Sequence, residues 1–160
     1  MAIYLSFETP IKGGATTVGY EEWIQADSMQ FGVGRAISNV DGGGDRETST
    51  PSFSEVTFSM LADIASTELL MQAIYGKELG TATIHLVNTS GEHAHKPYEI
   101  ITLKNPIISN YSESTGGDRP SISFSINFTQ ITRKWNKFTD GGGEEEGEEK
   151  GWNLQANEPT

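Results

Sequence analysis

His93-Ala94-His95 is the histidine pair closest in the chain, and on a strand residues two apart point the same way and could share a metal. A metal needs a third and fourth ligand. Glu92 is adjacent, and His85 falls where a hairpin partner could bring it across. The plainer reading is two solvated loop histidines beside Gly91 and Lys96, and no metal site is assigned. Glu21-Glu22 and the Glu144 to Glu149 run hold the groups acid–base chemistry uses. A general acid, however, needs burial to raise its pKa, and charge runs are normally solvated. No serine stands in a Gly-x-Ser-x-Gly elbow. Gly42 to Gly44 is not followed by the Lys-Ser/Thr of a phosphate loop. The chain has no cysteine, which removes disulfides, thiolate ligands and a thiol nucleophile together. The expectation is a protein that is not an enzyme and takes no cofactor.

The elements that would position any site are mainly strands. Ile3, Leu5 and Phe7 alternate with polar residues. Glu22 to Gly32 reads as a second strand whose alternation slips near Ala26, and Phe53 to Met60 as a third. Ala82 to Asn88 and Tyr98 to Lys104 flank a polar connection and suggest a hairpin, with Pro106 to Tyr111 continuing or restarting the strand. The cleanest strand is Ser121 to Thr129. Ile122, Phe124, Ile126 and Phe128 make its dry face; Ser121, Ser123, Ser125, Asn127 and Thr129 make a wet face with no charge on it. An ordinary solvated sheet face and a deliberately smooth surface both fit that pattern. Ser66 to Gly76 breaks the period of two and reads as one short helix. Ser66 is the expected N-cap, Glu68 lies in the first turn, Leu69, Leu70, Ala73 and Ile74 form an apolar stripe, and Gly76 ends the helix.

The 160 residues suit a single domain, 1–160. Net charge is -11, yet seven carboxylates lie in residues 140–160 against Lys150, so the body is only mildly acidic. No basic stripe is present, which argues against nucleic acid as a partner. No stretch approaches a membrane-spanning helix, and Met1 to Glu8 lacks the basic start and apolar run of a signal peptide. Two irregular stretches remain: a long polar loop over 38–52, expected to be mobile, and an acidic Gly-rich linker over 140–150. Trp152 and Leu154 follow the linker, so residues 151–157 should dock again.

Several landmarks fall in the order of a known family. Ile11-Lys12-Gly13 precedes Trp23-Ile24 and then Met29-Gln30-Phe31-Gly32, with Met29 where an aromatic is usual. A Gly-rich loop, 38–52, comes next, then Asp63-Ile64-Ala65-Ser66 at the helix. Tyr98 to Lys104, Gly117-Asp118-Arg119, Asn127-Phe128 and the closing Gly151-Trp152-Asn153-Leu154 to Asn157 complete the series. In this the chain resembles the Hcp (haemolysin-coregulated protein) family of the type VI secretion system.

The resemblance implies a compact β-barrel of two antiparallel sheets with one flanking α-helix, like a phage tail tube. It implies hexameric rings that stack into an expelled inner tube, with a spike at the tip, a contractile sheath outside and small effectors in the lumen. It also implies assembly in the bacterial cytoplasm and secretion without a cleaved signal or membrane insertion. Ser28, Gln30, Ser121, Ser123, Ser125, Asn127 and Thr129 become candidates for the lumen wall. Asp41, Asp45, Arg46, Glu47 and Thr48 become candidates for ring-to-ring contact. Some relatives carry a C-terminal toxin domain, for which no room is expected beyond Thr160. A phage or phage-like tail-tube protein, a secreted β-sandwich binding module and a metal-dependent enzyme using His93 and His95 stand as alternatives.

Overall fold

Two antiparallel sheets face each other in the computed structural model, which describes residues 1–38, 44, 46–139 and 142–160. The larger sheet runs β15 (Glu158–Pro159), β14 (Lys150–Asn153), β11 (Gln130–Trp135), β8 (Pro97–Lys104), β7 (Thr81–Val87), β1 (Ala2–Phe7), β2 (Ile24–Ala26). The smaller runs β3 (Ser28–Gln30), β6 (Val56–Leu61), β10 (Ser121–Asn127), β9 (Ile107–Ser114). Neither order returns to its start, so the expected barrel is instead a pair of open sheets whose edges are unpaired among the described residues. The slip in alternation near Ala26 has a physical origin. β2 belongs to the larger sheet and β3 to the smaller, and Asp27 carries the chain between them, its N–H donating to the Ser59 carbonyl at 2.8 Å.

The dry faces meet in one core. Leu5, Ile24, Ile84, Ile101 and Leu103 come from the larger sheet and Val56, Phe58, Phe124 and Ile126 from the smaller, all essentially without exposure. Phe58 and Phe124 stack at 5.2 Å across β6 and β10. The remote face of the larger sheet is covered by residues 8–23, where Tyr4 and Tyr20 stack at 4.4 Å with Trp23 and His85 against Tyr20.

The helix α1 (Ser66–Tyr75) is where expected, but its start is organised differently. Ala65 is the N-cap, and Ser66 turns its hydroxyl back to accept the Asp63 N–H at 3.0 Å. Asp63 supplies the bracing instead: Oδ1 accepts the Ala65 N–H at 2.8 Å and Oδ2 the Gly14 N–H at 3.1 Å. Gly76 closes the helix in the left-handed region with φ 62° and its N–H on the Gln72 carbonyl. Of the expected apolar stripe only Leu69 is buried; Leu70 and Ile74 are 42% and 66% exposed.

His85 lies on β7 with Tyr20 Oη 3.0 Å from its Nδ1, and burial pushes its pKa below the usual 6.5. Burial, with a smaller contribution from Tyr4, pushes the Tyr20 hydroxyl up, so it stays protonated. The unfolded chain therefore binds a proton at His85 more readily than the folded one. The stability this ring contributes is complete above about pH 6.5 and is lost as pH falls from there toward the folded-state value. Urea titrations between pH 7.5 and 5 should show this loss, and His85→Phe should flatten it; an unchanged slope in the variant would assign the acid sensitivity elsewhere.

Candidate functional site

The smaller sheet's second face is the most distinctive surface of the molecule. Antiparallel register puts Ser28, Ser59, Ser123 and Ser112 in one row across the four strands. Gln30, Thr57, Ser125 and Asn110 form the next row. Ser121 and Ser114 lie beyond on β10 and β9, and Asn127 closes the other end of β10. Their neighbours along each strand, such as Met29, Phe58, Phe124 and Tyr111, turn into the core, because side chains alternate across a pleat. The hydroxyls satisfy one another: Ser28 with Ser59, and Thr57 with Ser125 at 3.0 Å. A β-bulge between Ser125 and Ile126 leaves Ser109 unpaired in register, and it donates to the Glu55 carboxylate. The result is a face of uncharged side chains, two pairs of them hydrogen-bonded, with the half-exposed Leu61 opposite Ser121 at one end.

Six of the seven lumen candidates thus share one face. Thr129 does not. It follows the strand, where the chain crosses to β11, and is held there by the Lys104 carbonyl on its N–H at 3.0 Å and by Asn105 on its hydroxyl. The alternation that assigned it ends at Asn127 because the chain leaves the sheet. Sequence reasoning missed Thr57, Ser59, Asn110 and Ser112; the polar positions of β6 and β9 carry the same alternation, but only the register shows that they join β10.

The 38–52 segment grows from a hairpin stem. β4 (Val33–Gly34) pairs with β5 (Ser52–Phe53), Ile37 bridges Thr48, and the Ser38 N–H reaches the Glu47 carbonyl at 3.0 Å. Arg46, Glu47 and Thr48 are exposed along it; Asp41 and Asp45 lie outside the described residues. The described part of the acidic stretch folds back on the body. β12 (Lys137–Phe138) pairs with β13 (Glu144–Glu145), and Glu146 meets Lys134 at 2.9 Å. Of the C-terminal segment, residues 150–153 pair with β11, Trp152 opposite Ile131, and Leu154 packs on the core, while residues 155–157 are exposed. His93 and His95 sit on a turn, not a strand, with His93 stacked on Phe138 at 4.5 Å, while His85 faces Tyr20. Among the described residues no three His, Asp or Glu side chains are grouped to hold a metal.

Many of the sequence landmarks prove to be backbone necessities. A Cβ on Gly13 would stand 2.1 Å from the Trp23 carbonyl oxygen, and one on Gly151 2.0 Å from that of Ile131. Asn153 Oδ1 accepts the Gln155 and Ala156 N–H groups at 3.0 Å and turns the chain after β14. Asp63 ties the helix start to the Gly13-Gly14 turn.

The fold is a pair of open sheets, one of which turns an uncharged polar wall outward. The chain belongs to the Hcp family: the family's model, described as type VI secretion system effector, Hcp, matches residues 4–135. It is accordingly a tube subunit of the type VI secretion system, in a family of structural rather than enzymatic proteins, which sets aside the phage-particle and secreted-module alternatives. Solved structures share the fold. One described as a type six secretion system protein is 19% identical, with a TM-score of 0.90 and 99% of each chain covered. Hcp1 from Salmonella typhimurium is 18% identical at a TM-score of 0.77, covering 99% of this chain and 98% of that one. A type VI secretion system effector from Yersinia pestis is 18% identical at 0.71, covering 94% and 98%. No curated protein matches. No helix among the described residues is long and apolar enough to cross a membrane.

Proposed function

We propose that this chain closes into hexameric rings whose inner wall is the neutral face of β3, β6, β10 and β9. The observation that carries the reading is that face: two cross-strand rows of Ser, Thr, Gln and Asn, on a sheet whose edges β3 and β9 both lack a strand partner among the described residues. Unpaired strand edges are templates for another chain, and a head-to-tail contact that closes removes them all. Rings stack through the hairpin stem bearing Arg46, Glu47 and Thr48. The tube so formed is capped by a spike, surrounded by a contractile sheath and expelled, and small effectors ride in its lumen. The chain itself performs no catalysis.

Negative-stain microscopy with sedimentation velocity on one sample tests the ring: uniform annuli with an open centre are expected, and a monomer over a wide concentration range would overturn it. Gln30→Arg and Ser125→Arg repeat a cation around the wall, and rings of charged side chains govern what a pore accepts. Both variants should keep the annulus but retain a cognate effector at least about tenfold less, a cost of about 1.4 kcal/mol. Undiminished pull-down by both would remove the assignment of this wall.

A further inference from the structure

Among the exposed apolar features of the described residues, two lie at opposite edges of the small sheet. The first is a ridge on α1. Leu70 and Ile74 stand one turn apart, and Tyr75 beside them is 54% exposed, with the Lys77 ammonium 5.5 Å from its ring centre. α1 packs against β9, one terminal strand of that sheet, and Leu79 just beyond it bonds to the Pro106 carbonyl at the start of β9. The second is a cleft of about 440 Å³ floored by Phe31, Phe53, Ile131 and Trp152. Phe31 directly follows β3, the other terminal strand. Both features sit at the same end of the sheet, since β9 starts where β3 finishes in the antiparallel order.

We propose that the α1 ridge of one copy docks in the Phe31–Trp152 cleft of the next copy around the ring. The proposal rests on the ring reading and names what holds the ring together. A head-to-tail contact that brings the β9 edge of one subunit to the β3 edge of its neighbour carries the ridge to the cleft without a second rearrangement. The charges that rim the cleft are already paired within the subunit, Arg133 with Glu99 and Lys150 with Glu148, so the apolar surfaces carry the contact. The contact is heterologous, so it closes on itself only through a ring. Burying one large aliphatic side chain accounts for roughly a 10- to 100-fold change in association at a single interface.

Ile74→Asp tests this, because Ile74 is largely exposed in the monomer and the variant keeps its fold. Sedimentation velocity should show the ring dissociating at roughly 100-fold higher protein concentration than wild type, with an unchanged thermal melt of the dilute monomer. Val18→Asp, equally exposed but on the loop covering the far side of the larger sheet, should leave the ring intact. The absence of native cysteine permits a second readout: Ile74→Cys with Lys150→Cys should oxidise into a ladder of linked subunits, and neither single variant should. A ring that persists in Ile74→Asp, or that loses only its sheath, overturns the docking while leaving the ring reading standing. A monomeric wild type overturns the ring reading itself.

Discussion

Phe124→Ala should destabilise the subunit by about 3–5 kcal/mol, the range for removing a buried aromatic ring from a core. Phe124 is 1% exposed, lies on β10, one of the two inner strands of the small sheet, and stacks on Phe58. Its loss leaves a void between the two sheets that rigid strands on both sides cannot collapse to fill. Against the 5–15 kcal/mol typical of a domain this is a large share. It should lower the melting temperature by about 10 °C or more. Ser123→Ala, one residue earlier on the same strand, should change stability by less than about 0.5 kcal/mol, because that side chain faces away from the core. Urea denaturation of the pair measures both. Comparable costs at the two positions would mean that the strand's two faces have been assigned the wrong way round.

Gly151→Val should detach the C-terminal strand. The new Cβ would meet the Ile131 carbonyl oxygen at 2.0 Å and the Thr132 Cα at 2.8 Å, both backbone atoms of β11 that no rotamer change can move. β14 has to leave β11 to accommodate it, and the ladder from Gln130–Asn153 to Arg133–Lys150 goes with it. The expected cost is about 2–4 kcal/mol, at the upper end for overpacking because strand pairing is lost too. Hydrogen exchange at Trp152 and Asn153 should become that of a frayed segment, while β7 and β8 keep their protection. Gly116→Ala, where the added atom meets nothing within 4 Å, should be neutral. Retained protection at Trp152 in the valine variant would refute the close approach. Since Lys150 and Trp152 line the cleft that receives α1, the same variant should also weaken the ring.

Much of this molecule follows from the sequence alone. Strict alternation from Ser121 to Asn127 sets one dry and one wet face, because successive side chains on a strand point to opposite sides. The helix at 66–75 and its glycine stop are equally legible, since Leu69, Leu70, Ala73 and Ile74 fall on one helical stripe and glycine takes the left-handed cap without strain. The order of landmarks resembles that of the Hcp family, and two of them, Gly13 and Gly151, stand where the backbone approaches too closely for a side chain. Tertiary structure decided what local pattern does not encode. It placed β3, β6 and β9 beside β10, and so joined Ser28, Ser59, Ser123 and Ser112 into one wall, because register is a relation between distant segments. It removed Thr129 from that wall by passing the chain to the other sheet, and it made Asp63 rather than Ser66 the side chain that braces the helix start, with Ala65 as N-cap. It left Leu70 and Ile74 outside the core: an apolar stripe shows that a helix has something to bury, but only the packing shows whether its own chain supplies the partner.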